Sequence, residues 1–94
     1  MNVIFHPLAQ QELSQTMEFY EHQVPGLGNI FFEEISDAVD RIKLYPESYH
    51  IIMNRTRKCS LQKFPYLVLY GIIHDTIVVS AIAHQHRHPR SYLR

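Results

Sequence analysis

The chain has 94 residues, of which 46% are apolar and 19% charged, and its formal net charge at pH 7 is zero. This composition excludes an intrinsically disordered chain, and no apolar run approaches the roughly 20 residues that a membrane-spanning helix needs. The length suffices for one hydrophobic core, so we expect residues 1–94 to form a single domain.

A strand and two helices are predicted in the first half of the chain. Asn2–His6 is a short apolar run that predicts a strand, and Pro7 ends this strand and opens a helix. In residues 8–24 apolar side chains recur every three or four positions, which is the pattern of an amphipathic helix. Pro25-Gly26 ends that helix, and a second helix with a wider apolar stripe is predicted over Leu27–Tyr45. The short connection predicts an antiparallel helical hairpin.

The second half of the chain predicts an antiparallel sheet. Its first strand lies within Tyr49–Leu61, and its centre is formed by two apolar runs, Tyr66–Ile73 and Thr76–Ala83. Only His74-Asp75 separates these runs, so they should pair as a hairpin. The order is β-α-α-β-β-β, an α+β fold in which the helical hairpin covers one face of the sheet and the other face is at least partly open. Pro89–Arg94 is a short tail with room for one helical turn.

Charge is divided unevenly along the chain. Residues 1–54 contain eight acidic and two basic residues, a net charge of −6, whereas residues 55–94 contain seven basic residues and one acidic residue, a net charge of +6. This division predicts a basic face that meets a polyanion or an acidic protein. In the alternative, the two halves neutralise each other across the fold.

The residues that follow the last predicted strand are the strongest candidates for a functional site. His84, His86 and His88 alternate with polar and basic residues, so an extended backbone would place the three imidazoles on one face. A metal site would need a fourth ligand, and the sequence offers only Cys59, which is distant along the chain. We therefore expect surface imidazoles and neither a metal site nor a cofactor. Tyr66 is expected, with Tyr70, to be a core aromatic.

Two features favour a cytoplasmic protein. The N-terminal sequence MNVIFHPLAQ lacks the basic segment and long apolar run of a signal peptide. Cys59 is the only cysteine, so it cannot form an internal disulfide. We read it as a small, buried or half-buried side chain.

Several short motifs occur together with this order of elements. They are PLAQQEL at residues 7–13, PGLG at 25–28, Tyr45-Pro46, FPYLVLY at 64–70 and AIAHQHRHPRSYLR at 81–94. In this combination the chain resembles the RelE/ParE superfamily of bacterial toxins from type II toxin–antitoxin, or plasmid stabilisation, systems. The resemblance implies a small domain with helices on a twisted antiparallel sheet, neutralised by a cognate antitoxin that wraps around it.

The resemblance also implies two branches of activity. RelE-like members cleave messenger RNA on the ribosome without a metal, through basic sheet residues, a third-strand arginine and groups near the C-terminus. The positions here that match these catalytic groups are Arg57, Lys58, His84, Arg87 and Tyr92. The third-strand arginine is replaced by Leu67, which favours the ParE-like branch, whose members poison DNA gyrase. As contacts to the target or to nucleic acid we expect Arg55, Lys63, Arg90 and Arg94.

Three functions therefore remain open at the level of sequence. The first is a ParE-like gyrase poison, the second is a RelE-like ribosome-dependent endoribonuclease, and the third is a non-toxic binding module with the same fold. In each case we expect an acidic or amphipathic antitoxin segment as partner, with DNA contacted only through the antitoxin and no membrane involved. The cations Arg55, Arg57 and Lys58 have a simpler alternative role, since charged side chains on an edge strand deter aggregation.

Overall fold

The computed structural model describes residues 1–92, and the side chains of Pro89 and Tyr92 lie outside that description. Two long helices, five strands and one short 3₁₀ turn follow one another along the chain. They are β1 (Asn2–Phe5), α1 (Pro7–Gln23), α2 (Leu27–Leu44), β2 (Ile51–Met53), β3 (Thr56–Ser60), β4 (Tyr66–Ile73), β5 (Thr76–His84) and the 3₁₀ turn Pro89–Tyr92. Among the described residues, no helix is both long and apolar enough to cross a membrane.

Both predicted helices are present, and their connection is fixed by one carboxylate. The two carboxylate oxygens of Glu21, near the end of α1, accept hydrogen bonds from the backbone N–H groups of Gly26 (2.8 Å) and Gly28 (3.0 Å). These N–H groups open α2 and would otherwise have no partner within the helix. A Cβ atom on Gly28 would lie 2.7 Å from the carbonyl oxygen of Met17, so glycine is required there for the two helices to pack this closely.

The predicted α+β class is confirmed, and two details of the predicted order are corrected. The Tyr49–Leu61 segment holds two strands instead of one, because β2 and β3 form a hairpin around Asn54-Arg55. Both turn residues have positive φ, but the turn lacks the glycine by which such hairpins are recognised in a sequence. The strand order is β1-β5-β4-β3-β2, and β1 pairs with β5 in parallel, so the sheet is mixed instead of wholly antiparallel.

The main core lies between the helices and one face of the sheet. Its buried side chains come from both helices and from the central strands. They are Ala9, Leu13, Phe31, Ile35, Ala38, Ile42, Cys59, Leu61, Phe64, Val68, Tyr70, Ile77, Val79 and Ile82. The apolar stripe predicted for the second helix is confirmed, since Phe31, Ile35, Ala38 and Ile42 are all buried. A smaller cluster of Leu69, Ala81 and Ala83 lies on the opposite face of the sheet.

Tyr70 and Arg57 anchor the segment that links α2 to the sheet. The Tyr70 hydroxyl donates a hydrogen bond to the carbonyl of Pro46 (2.6 Å). One terminal nitrogen of Arg57 donates to the carbonyls of Glu47 and Tyr49, each at 2.8 Å. The Tyr70 side chain is fully buried. Burial raises its pKa to about 12, although the nearby Arg57 guanidinium acts in the opposite direction.

We expect this buried phenol to make the fold sensitive to alkaline pH. The ordinary pKa of the group is 10.0, so between pH 10 and 12 the unfolded chain releases the proton while the folded chain keeps it. Stability from this source is therefore complete below pH 10 and is lost as the pH rises toward 12. Tyr70→Phe should be less stable than the parent by about 1 kcal/mol at pH 8, because the bond to Pro46 is lost.

Urea unfolding at a series of pH values from 8 to 12 measures this effect as the difference between the parent and Tyr70→Phe. The advantage of the parent should shrink through the alkaline window, since the phenylalanine variant has no proton to lose at this position. A difference that stays constant from pH 8 to pH 12 would contradict the assignment.

Candidate functional site

A polar cavity lies at the carboxyl end of β5, between this strand and α1. Its volume is about 300 Å³. Helix α1 supplies one wall, and the ends of β4 and β5 supply the other. The lining residues are Glu12, Gln15, Thr16, Tyr66, Ile82, His84 and Arg87. Two predicted catalytic residues, His84 and Arg87, therefore share one cavity.

A β-bulge in β5 points His84 toward this cavity. Leu69 pairs with Ala81, but the next residue, Tyr70, pairs with Val79, so Ser80 is an extra residue in β5. The alternation of faces is reset at the bulge. As a result Val79 and Ile82 both belong to the core beneath the helices, although their spacing of three would place them on opposite faces of a regular strand.

Glu12 stabilises the strand just beyond the bulge. Strand β1 ends at Phe5, so it pairs with β5 only as far as Val79, and the following part of β5 lies beside α1 instead. There the Glu12 carboxylate accepts a hydrogen bond from the backbone N–H of Ile82 (3.0 Å). A helix side chain thus satisfies a strand N–H that no neighbouring strand reaches.

The His84 imidazole lies between two other rings. Its centroid is 5.2 Å from that of Tyr66, in an edge-to-face arrangement, and 5.2 Å from that of His86. Its Nδ1 atom accepts a hydrogen bond from the backbone N–H of His86 (3.2 Å). Strand β5 ends at His84, so the extended backbone that would align three imidazoles does not continue to His88. Within residues 1–92, no group of three His, Cys, Asp or Glu side chains is placed to hold a metal ion.

Arg57 and Lys58, the predicted basic pair of the sheet, lie on opposite faces of β3. Arg57 faces the helices and bonds to the α2–β2 connection, while Lys58 pairs with Leu69 of the smaller apolar cluster on the other face. In register Arg57 is level with Val79. It is therefore roughly 13 Å along the strands and roughly 10 Å across them from His84.

The other predicted contact residues are divided between the two ends of the sheet. Lys63 lies in the β3–β4 loop, whose backbone N–H groups at Gln62 and Lys63 both donate to one oxygen of Glu34 (2.7 Å each). This loop is at the same end as His84, as is the exposed Arg90. Arg55 lies at the far end, in the β2–β3 turn. Arg94 and the side chain of Tyr92 are outside the described residues.

Thus the structure groups His84 and Arg87, with Lys63 and Arg90 at the same end, and it separates them from Arg55, Arg57 and Lys58. The sequence reasoning missed Glu12, Gln15 and Thr16 as lining residues, and it treated Tyr66 as core only. A regular hairpin counted from the His74-Asp75 turn would pair Tyr66 with Ala83. Only the bulge brings Tyr66 opposite His84.

The acidic and basic halves of the sequence correspond to the two layers of the fold, the helices and the sheet. Helices α1 and α2 contain seven acidic and two basic residues, whereas residues 51–92 contain six basic residues and Asp75 as the only acidic one. The helical layer is therefore acidic, and the sheet with its C-terminal extension is basic. A partner that meets the sheet encounters positive potential without crossing the acidic layer.

Leu67 of β4, the residue that we expect to replace the arginine of RelE-like members, packs against the smaller apolar cluster of Leu69, Ala81 and Ala83. This cluster lies on the sheet face that the helices leave uncovered. Its three buried members are each 2% exposed or less. The centre of that face is therefore apolar, with Lys58 at its margin.

Comparison with known proteins agrees with this architecture. A family model described as the ParE toxin of type II toxin–antitoxin system parDE matches residues 3–89. The chain is also similar to a solved chain of the chromosomal ParDE toxin–antitoxin system from P. aeruginosa, with a TM-score of 0.67 and 13% sequence identity. That alignment covers 89% of this chain and 95% of the other and shows a common fold. No curated protein matches the sequence.

The different surroundings of Arg57 and Lys58 predict different effects on stability. Arg57→Met removes two hydrogen bonds from a charged donor, and should lower the free energy of unfolding by about 2 kcal/mol. Lys58→Met is the matched control, because it removes the neighbouring charge on the other face, and should change stability by no more than about 0.5 kcal/mol. Urea unfolding at neutral pH measures both values, and equal losses would show that the Arg57 bonds do not stabilise the fold.

Proposed function

The chain belongs to the ParE toxin family of type II toxin–antitoxin systems, and on that premise we propose that it poisons DNA gyrase. This proposal rests on the environment of Leu67. Where the ribonuclease branch places a catalytic arginine, this chain has a leucine packed in an apolar cluster. Stabilising the charge on a phosphate in a transition state requires cations directed at one point, and this face offers none at its centre.

The arrangement of the sheet cations supports the same target. Arg57 is bonded to two carbonyl groups on the helical side, and Lys58 lies on the opposite side. Neither is near His84 or Arg87. A catalytic set that included all four residues would need atoms on two faces of the sheet to act on one phosphate, so we infer that they do not act together in RNA cleavage.

One observation favours the endoribonuclease as the second candidate. His84, Arg87 and Tyr66 line a single cavity. An imidazole can serve as general acid or base, while a guanidinium can stabilise phosphate charge. If the chain cleaves RNA, this cavity is the site at which we expect the chemistry.

We further propose a cognate antitoxin as partner, with an acidic or amphipathic segment that folds on the basic sheet layer. Support comes from the separation of charge between the layers and from the antitoxin system to which the family belongs. A disordered acidic segment can cover a large surface and gain electrostatic attraction as it becomes ordered. On this proposal the toxin acts in the cytoplasm, and DNA is contacted through the antitoxin.

The proposed target is tested by assaying the purified chain against gyrase and against ribosome-bound messenger RNA. We expect inhibition of ATP-dependent supercoiling, or accumulation of cleaved DNA, together with full-length messenger RNA in primer extension. Active supercoiling combined with truncated messenger RNA would overturn the gyrase proposal. A His84→Ala, Arg87→Ala double variant would then show whether the cavity performs the cleavage.

The proposed antitoxin is tested by expressing the chain with the product of a short reading frame beside its gene. The two proteins should co-purify, and because the association is partly electrostatic, its dissociation constant should rise at least about tenfold between 0.05 M and 0.5 M salt. Isothermal titration at the two salt concentrations measures this change. Failure to co-purify, or an affinity independent of salt, would contradict the proposal.

A further inference from the structure

Neither the backbone conformation nor the packing of the fold requires a glycine at position 71. It lies inside the eight-residue strand β4, where glycine weakens pairing and leaves no side chain to pack. Its φ is outside the left-handed region, and an added Cβ atom would meet nothing closer than the Arg55 carbonyl oxygen at 3.9 Å. Gly28 is the contrasting case, since a Cβ atom there would clash with α1. A glycine inside a strand marks a bulge, a bend or a close approach by another molecule, and the nearby bulge has its extra residue in β5, at Ser80, and not in β4.

The space above Gly71 is a groove of about 620 Å³ on the sheet face away from the helices. It lies at the end of the sheet where the two hairpins turn, far from the His84 cavity. The apolar side chains of Ile73 and Val78 line it, and Ile73 is 58% exposed. An apolar side chain from a partner would therefore find apolar contacts on this floor.

One of the two turns beside the groove holds an unfavourable backbone conformation. Arg55 has φ 64° and His74 has φ 55°. Apart from glycine, the residues that tolerate this left-handed region best are Asn, Asp and His, so Arg55 is the strained residue. In the β2–β3 turn Asn54 precedes Arg55, and Asn-Gly is the sequence that such a turn prefers. Glycine at position 55 would relieve the strain but would remove the guanidinium from the groove. Strain that the fold does not require is a pointer to function.

The polar groups that line the groove favour a negatively charged ligand. The groups of Arg55, His6 and His74 line it, and no carboxylate does so among the described residues. Nδ1 of His6 accepts a hydrogen bond from the backbone N–H of Leu8 (3.1 Å), which leaves Nε2 as the ring atom available to a ligand. Cationic and imidazole groups around an apolar floor are complementary to a segment that carries carboxylates beside an apolar side chain.

We propose that this groove is the docking surface for an acidic segment of the target protein. The apolar side chain of that segment seats on Gly71, and an adjacent carboxylate pairs with Arg55. This inference rests on the proposed function, because it assumes that the chain acts by binding a protein target. Its surface is distinct from the cavity at His84.

Gly71→Leu tests the docking surface by filling the groove from its floor. The backbone and the space above it accept the side chain, so the variant should fold with an unchanged or higher melting temperature. Its inhibition of gyrase supercoiling should be at least about tenfold weaker, and induced cells should grow. Ser60→Leu is the matched control, because it adds the same side chain at an exposed position of β3 outside the groove, and it should retain full potency.

Arg55→Gly provides a second test that does not depend on steric blockage. It should raise the melting temperature, since glycine relieves the left-handed turn, and at the same time weaken inhibition. Should Gly71→Leu fail to fold, this variant decides, and a stabilised Arg55→Gly protein of full potency would overturn the proposal. A folded Gly71→Leu protein with full potency would overturn it as well.

Growth arrest separates this proposal from the choice of gyrase as target. If the parent chain arrests growth while gyrase stays active, the gyrase proposal fails, and loss of arrest in Gly71→Leu still supports the groove. If arrest persists in that folded variant, the groove is not the docking surface. A parent chain that neither arrests growth nor inhibits gyrase would overturn both proposals.

Discussion

The bulge at Ser80 is the constraint on which the arrangement of this molecule depends. It divides β5 into two parts. Val79 in the first part and Ile82 in the second both point toward the helices. The first part pairs with β1, and the second lies along α1. If the same sequence formed a regular strand without the bulge, Ile82 and His84 would point to the uncovered face and Ala83 into the core. The bulge therefore fixes both the completeness of the core and the position of the His84 cavity.

Carboxylates of the helices bind the backbone where its regular hydrogen bonding stops. Glu12 accepts from a strand N–H beyond the bulge, Glu21 accepts from two N–H groups at the start of α2, and Glu34 accepts from two in the β3–β4 loop. The N–H groups of Ile82 and Gly28 are part-buried and would be costly without a partner, and a charged acceptor bonds them strongly. Some of the acidic residues in the helical layer therefore have a structural role. The excess of basic residues lies in the sheet layer.

The basic sheet layer contains two separate surfaces with different chemistry. The cavity at the end of β5 holds polar and titratable groups, including His84, Tyr66 and Arg87. The groove at the turn end combines an apolar floor with Arg55 and two imidazoles. The cavity opens between β5 and α1 on the helical side, whereas the groove lies on the uncovered face, where the apolar cluster around Leu69 occupies the centre of the sheet. A toxin that acts by binding needs a complementary surface and not a convergent set of catalytic groups, and we propose the groove as that surface.

The sequence by itself determined the two helices, the central β4–β5 hairpin, the α+β class and the family, because each depends on local periodicity, on proline and glycine positions, or on short motifs. It did not determine the β2–β3 hairpin, whose turn lacks the usual glycine, or the parallel pairing of β1, which brings together residues more than 70 positions apart. Only the tertiary structure decided which basic residues share a surface, since one extra residue at Ser80 reverses the faces of all that follow in β5. The separation of Arg57 from Lys58 has a different origin, because neighbouring side chains of a regular strand point to opposite faces and the helices cover only one of them.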